Sequence, residues 1–134
     1  MAVETSEPFA IEVMARRFLA VAPEDTLGEV AEKLAGTGSG SALVLEYGRL
    51  VGTLTSRDIL QAIAGRVHPS EARVRDWMTP DPVTASATTP ADEAARLMLA
   101  GGFHHLPITD DERPLGVVGF RAVIGALRPP WPGF

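Results

Sequence analysis

The sequence runs through one pattern twice. Met14 lines up with Met78, about 64 residues further on. Thr26-Leu27-Gly28-Glu29-Val30-Ala31 lines up with Thr89-Pro90-Ala91-Asp92-Glu93-Ala94, and Ser41 to Leu45 with His104 to Ile108. Leu50-Val51-Gly52 lines up with Pro114-Leu115-Gly116, and Arg57 with Arg121. Identity between the copies is low, but apolar pattern and punctuation agree. Self-similarity at a fixed spacing means one supersecondary unit built twice. A unit of about 50 residues is too small for a convincing core alone. Two such units covering each other's sheets predict one pseudo-symmetric α/β (α+β) domain.

Each copy reads strand-helix-strand-strand-helix. Extended segments are expected at Phe18 to Val21 and Pro82 to Ala85. Thr26, with Glu29 three residues on, is a capping box that starts a helix. Leu27, Val30, Ala31 and Leu34 fall on one face of that helix. In the second copy Thr89 is the expected cap, with Pro90 at the first helical position and Asp92 and Glu93 favoured by the helix dipole. Ala94, Leu97 and Met98 form its apolar face. Gly36 to Gly40 and Gly101-Gly102 end the two helices. Ser41 to Glu46 and Leu50 to Thr55 make a hairpin through Tyr47-Gly48-Arg49. In the second hairpin a longer turn, Asp110 to Pro114, is expected. The closing helices carry Ile59, Leu60 and Ile63 on one side, and Val123, Ile124 and Leu127 in the second copy. The organisation is an N-terminal arm at 1–12, repeat 1 at 13–64, a linker at 65–73, repeat 2 at 74–127 and a Pro-rich tail at 128–134.

The chain has 134 residues, 46% of them hydrophobic, and a formal net charge of −5. That length supports a packed core and that composition excludes a disordered chain. No apolar run approaches the ~20 residues that span a bilayer. Residues 1–10 carry Glu4 and Glu7 and no basic residue, unlike a leader peptide. A cytoplasmic protein is expected. There is no cysteine, which removes disulfides, thiolate catalysis and Cys-ligated metal. The acidic balance opposes indiscriminate nucleic-acid binding.

Catalytic constellations are missing from the sequence. Its three histidines are His68, His104 and His105. The last two are adjacent, so on a strand they point to opposite faces and do not chelate one metal together. Asp110-Asp111-Glu112 reads as a solvated turn. No nucleophile-base pair and no Gly-rich phosphate loop appears. Neither enzymatic activity nor a metal or cofactor requirement is expected. The richer feature is the strand-to-helix turn Gly52-Thr53-Leu54-Thr55-Ser56-Arg57-Asp58. A helix start offers free backbone N–H groups. Thr55 and Ser56 add hydroxyls, Arg57 a guanidinium fork for an anion, and Asp58 an acceptor for a vicinal diol. The same residues also make an ordinary capped helix.

The whole pattern resembles the CBS domain, the cystathionine-β-synthase-type module that occurs in tandem pairs. The first copy supplies Met14, Val21, Pro23, Leu34, Leu43-Val44-Leu45 and Gly52 to Asp58. The second supplies Asp76 to Pro80, Val83, Leu97-Met98, Leu106-Pro107-Ile108 and Gly116 to Ala122. The resemblance implies a tandem pair packed through its sheets, with two clefts related by pseudo-twofold symmetry. It implies a stand-alone regulatory module for an adenosyl ligand (AMP, ADP, ATP or S-adenosylmethionine) that signals to an effector protein. Carried over by position, Asp58 holds the ribose, Thr55 and Arg57 lie by phosphate, Gly40, Ser41 and Ala42 edge the adenine, and Leu19 and Ala20 form an apolar wall. His104 and His105 stand where some relatives place basic residues near phosphate, and Arg121, aligned with Arg57, is a further candidate contact. The second copy has Gly119 for Thr55 and Ala122 for Asp58, so one competent site and one degenerate site are expected.

Two other functions compete. One is a ligand-free structural or dimerisation module, since tandem pairs of this family associate as homodimers through their helices. Trp77, Trp131 and Phe134 near unit edges or the terminus also favour a homodimer. The other is nucleic-acid binding through a local arginine patch, which the net charge opposes.

Overall fold

The computed structural model describes residues 8–127. The expected Pro-rich tail, with Trp131 and Phe134, and the first seven residues of the N-terminal arm lie outside the described residues. The chain is mixed α/β. It divides into two compact units, Phe18–Pro82 and, among the described residues, 8–17 together with 83–127.

The first unit runs β1 (Ala20–Val21), α1 (Leu27–Thr37), β2 (Ser41–Glu46), β3 (Arg49–Thr55), α2 (Ser56–Ala64), α3 (Val74–Trp77) and β4 (Thr79–Pro80). The sheet order is β1-β2-β3-β4, with β1 parallel to β2 and the other pairs antiparallel. The Thr26–Glu29 capping box forms: Thr26 Oγ1 accepts from Glu29 N at 3.1 Å, and Glu29 Oε1 accepts from Thr26 N at 3.1 Å. These bonds with Thr26 hold the Glu29 carboxyl below its ordinary range. α1 ends at Gly38, which is left-handed at φ 71°. Leu27, Val30, Leu34, Val44, Leu54 and Ile59 are buried together. Each such side chain contributes roughly 1.5–3 kcal/mol of burial. Outside this core, Arg75 ties α3 to Glu24 at 2.6 Å and to Glu46 at 3.2 Å. Exposed pairs of this kind add little.

The second unit repeats the plan with a 3₁₀ turn (Ala10–Val13), α4 (Ala91–Gly101), β5 (His105–Asp110), β6 (Arg113–Gly119) and α5 (Phe120–Ala126). Both hairpins bulge at the same place, between Val44 and Leu45 and between Ile108 and Thr109. Where β1 and β4 stand in the first unit, the second has single bridges, Ala85 to Ile108 and Ala15 to Val117. The extended segment expected at Pro82 to Ala85 is thus reduced to one paired residue. Its core holds Ala91, Ala94, Met98, Leu106, Ile108, Val118 and Val123.

Three local expectations are corrected. The second helix is capped by Pro90 rather than Thr89. Thr89 is engaged in the preceding turn, where its Oγ1 accepts from Ser86 N at 3.0 Å. The second hairpin turn is short: Asp111 and Glu112 alone connect the strands, at φ 51° and 67°, as Tyr47 and Gly48 do at 54° and 77°. Two positive-φ residues match the twist of a two-residue hairpin, so Asp110 and Arg113 pair as the last rung of the ladder. On α2, Ile59 and Ala62 are buried, whereas Leu60 is 65% and Ile63 49% exposed. The helix turns only part of its apolar arc to the core.

Candidate functional site

The first unit collects Leu19, Ala20, Gly40, Ser41, Ala42, Thr55, Arg57 and Asp58 around the start of α2. Register explains how. Ser41 pairs with Thr55 and Ala42 with Leu54, so the beginning of β2 lies beside the end of β3. The Leu19 carbonyl accepts from Leu43 N at 2.8 Å, which brings the β1 edge alongside. The Gly40 carbonyl accepts from Ser56 N at 3.1 Å, fixing the glycine backbone against the first turn of α2. Ala42 is buried, Leu19, Ser41, Thr55 and Asp58 are partly exposed, and Ala20, Gly40 and Arg57 are exposed.

Thr55 caps α2 and Asp58 closes a capping box. Asp58 Oδ2 accepts from Thr55 N at 2.8 Å and from Thr55 Oγ1 at 3.0 Å, while Thr55 Oγ1 accepts from Asp58 N at 3.2 Å. All three bonds run through Oδ2 and Oγ1. The carboxylate is therefore held in one orientation, with Oδ1 outside these bonds.

The second unit presents the same backbone with different chemistry. His105 pairs with Gly119, and the His104 carbonyl accepts from Phe120 N at 2.9 Å. Thus His104, His105 and Arg121 occupy the places of Gly40, Ser41 and Arg57, which corrects the sequence alignment of Ser41 with His104 by one residue. Gly119 caps α5 at φ −88° with no side-chain bond, and Ala122 has no carboxylate to offer. His104 meets Phe120 edge to face, ring centroids 6.2 Å apart. Loss of water around the ring, and secondarily the neighbouring His104, hold the His105 imidazole below its ordinary range. Among the described residues, no three His, Asp or Glu side chains are grouped to hold a metal ion, and no helix is long and apolar enough to cross a membrane.

One role was not drawn from the sequence. A Cβ placed on Gly52 would stand 2.5 Å from Met78 Sδ and 2.9 Å from the Thr79 carbonyl. One on Gly116 would meet the Ala15 carbonyl and stand 2.6 Å from Met14 Sδ. Each glycine lets a methionine-led arm cross a strand. The signal was the same glycine in Leu50-Val51-Gly52 and Pro114-Leu115-Gly116, aligned with the same methionine spacing.

Comparison with known proteins bears directly on this arrangement. A family model described as "CBS domain" matches the chain twice, at residues 10–65 and 74–129. The chain is 40% identical over 97 residues to the CBS domain-containing protein CBSCBSPB1 of Arabidopsis thaliana, a match that covers 72% of this chain and 18% of the plant protein. Its fold is similar to that of a CBS domain protein of Pyrobaculum aerophilum solved in complex with AMP. That match has TM-score 0.78 and 26% identity and covers 85% of this chain and 88% of the other. It is also similar in fold to a CBS domain pair solved with 5′-methylthioadenosine and S-adenosyl-L-methionine, at TM-score 0.80 and 23% identity, covering 89% of this chain and 94% of that one.

Proposed function

The chain belongs to the CBS-domain family, and from that premise we propose that its first repeat binds an adenosyl ligand and passes the binding event to a partner protein. The observation that carries this reading is the Asp58 carboxylate, pinned by Thr55 beside the backbone of Gly40, Ser41 and Ala42. Oδ1 receives a ribose hydroxyl while Oδ2 keeps the cap. Arg57, exposed on the same turn, meets a phosphate, and Leu19 and Ala20 flank the base. AMP bound to the Pyrobaculum relative supports the ligand class. The His104, His105 and Arg121 group of the second repeat is the weaker site, lacking a carboxylate for the diol. The role is binding and regulation rather than catalysis.

The test is a titration of the whole chain with adenosine, AMP, ADP, ATP and S-adenosylmethionine, read by calorimetry and thermal shift. One tight site per chain is expected. Ligand at 100 times Kd adds about 2.7 kcal/mol of stability. A flat panel overturns the reading.

A second reading, a ligand-free dimerisation module, is favoured by one feature: Leu60 and Ile63 are exposed on α2 while Leu127, the counterpart of Ile63 just past the end of α5, is buried. Adjacent exposed apolar side chains mark a contact surface. A homodimer through this helix face fits both readings. Light scattering of wild type against Leu60→Lys tests it: a dimer that becomes a 14.2 kDa monomer is expected, and a wild-type monomer at all concentrations removes it.

A further inference from the structure

We propose that Met14 and Met78 are a matched pair of peroxide-sensitive latches, one in each unit. Each sulfur fills the volume a β-carbon would take, 2.6 Å from the Cβ position of Gly116 for Met14 and 2.5 Å from that of Gly52 for Met78. Each methionine also begins the arm that completes its sheet. Ala15 N donates to the Val117 carbonyl at 2.8 Å and Val117 N returns a bond to the Ala15 carbonyl at 3.0 Å. Thr79 and Pro80 pair with Thr53 and Gly52, and Asp81 N donates to the Val51 carbonyl at 3.3 Å. The sulfur thus sits at the point where the arm leaves or holds the strand.

Reach and selectivity come from burial. Met14 and Met78 are only partly buried, whereas Met98 is 1% exposed. The chain contains no cysteine, so no thiol competes for an oxidant. A hydroperoxide transfers its terminal oxygen to the thioether. The O–O bond breaks, an S–O bond forms, sulfur loses two electrons and the peroxide leaves as an alcohol, or as water from hydrogen peroxide. The sulfoxide is larger, polar and a strong acceptor. The glycine side of the contact offers no room for the added oxygen and no side-chain donor to receive it. The arm must therefore separate from the strand. A thiol-dependent sulfoxide reductase reverses the change, forming water and a disulfide in the reductant.

The experiment exposes the whole chain to hydrogen peroxide. Conversion at each methionine is followed by peptide mass spectrometry, and exchange of the Ala15, Val117 and Asp81 amides by NMR. Met14 and Met78 should convert at least about tenfold faster than Met98, since susceptibility follows exposure. The three arm amides should speed up in step with conversion, while amides in the middle of α4 stay protected. Reductase with dithiothreitol should restore both. Met14→Leu with Met78→Leu, similar in volume and without sulfur, should keep the arms protected in peroxide. Oxidised Met14 and Met78 with protected arm amides overturn the proposal, as does equal conversion of Met98 or arm opening in the leucine variant. If that variant does not fold, reversal by reductase on the wild-type chain decides the matter alone.

Discussion

Thr55 and Asp58 start α2 with three hydrogen bonds, while Gly119 and Ala122, at the same places in the second repeat, start α5 with none from a side chain. Yet the backbone takes the same path at both, extended at φ −111° and ψ 164° for Thr55 and at φ −88° and ψ 147° for Gly119. The capping box is therefore not what turns the strand into the helix. Pairing of β3 or β6 behind the turn and burial of Ile59 or Val123 after it are enough. The threonine and aspartate of the first repeat exceed what the turn requires, which is the physical reason to look to them for binding.

The largest expected effect probes what the repeats share. Gly52→Ala and Gly116→Ala should each destabilise by about 1–3 kcal/mol, because the neighbour must shift to admit a β-carbon. Gly116 should be the costlier site, since the Ala15 carbonyl stands closer to its β-carbon position than the Thr79 carbonyl does to that of Gly52. Gly119→Ala is the control: its β-carbon meets nothing within 4 Å, so it should stay within about 0.5 kcal/mol of wild type. Chemical denaturation ranks all three. Equal, small effects would break the claim that the glycines seat the arms.

The next effect separates cap from ligand. Asp58→Ala should weaken adenosyl binding about 5- to 150-fold, or roughly 1–3 kcal/mol, by leaving the ribose diol unpaired. It should also cost about 0.5–2 kcal/mol of stability through the cap. Thr55→Ala should cost similar stability, and the loss in binding should be smaller. If Asp58→Ala loses stability alone, the carboxylate is a cap and nothing more.

A smaller gain should follow from copying the first repeat into the second. Gly119→Thr is permitted because φ is negative and the space around its β-carbon is open. With Ala122→Asp it supplies both halves of a capping box, worth about 0.5–1 kcal/mol. Calorimetry should then find the second adenosyl site strengthened. Added stability without added binding would show that the carboxylate and hydroxyl do not decide binding in this fold.

The repeat, the element order and the helix-stopping glycines were legible because they rest on local chemistry: periodicity, capping pairs and residues suited to positive φ. Thr26 with Glu29 carries its own partner three residues on, so the cap could be read directly. Thr89 could not, because Ser86, behind it in the chain, claims the hydroxyl first. The acidic turn looked longer than it is because Asp111 and Glu112 adopt positive φ, a role usually given to Asn or Gly. The arms were hidden for a different reason. Met14 opens the first repeat in sequence but packs against Gly116 of the second, and Met78 opens the second but packs against Gly52 of the first. Sequence alignment matches the methionines to each other and says nothing about which strand each one crosses. Leu60 and Ile63 carry the right period for burial, but α2 buries Ile59 and Ala62 instead.

The smallest effect concerns titration. The place held by Ser41 in the first repeat, which does not ionise near neutrality, holds His105 in the second. Lost hydration, and then the neighbouring His104, depress its pKa below the ordinary 6.5. Between that depressed value and the ordinary one, the unfolded chain binds the proton and the folded chain does not. Folding stability from this group is therefore present above about pH 6.5 and lost as pH falls through the folded-state pKa. His105 is exposed on the strand, so water screens the effect and the loss should be a small fraction of the total. Denaturation of wild type and His105→Gln from pH 7.5 to 5 isolates it. The wild type should fall relative to the variant as the solution is acidified, and Ser41→Ala should show no pH-dependent difference. Binding sharpens the test. If His105 meets an anionic ligand in its charged form, the ligand gains affinity as pH falls, and the gain begins below the range of a free histidine. Parallel curves for wild type and His105→Gln would mean that His105 keeps its ordinary pKa, and the two repeats would then differ at this place in shape but not in charge.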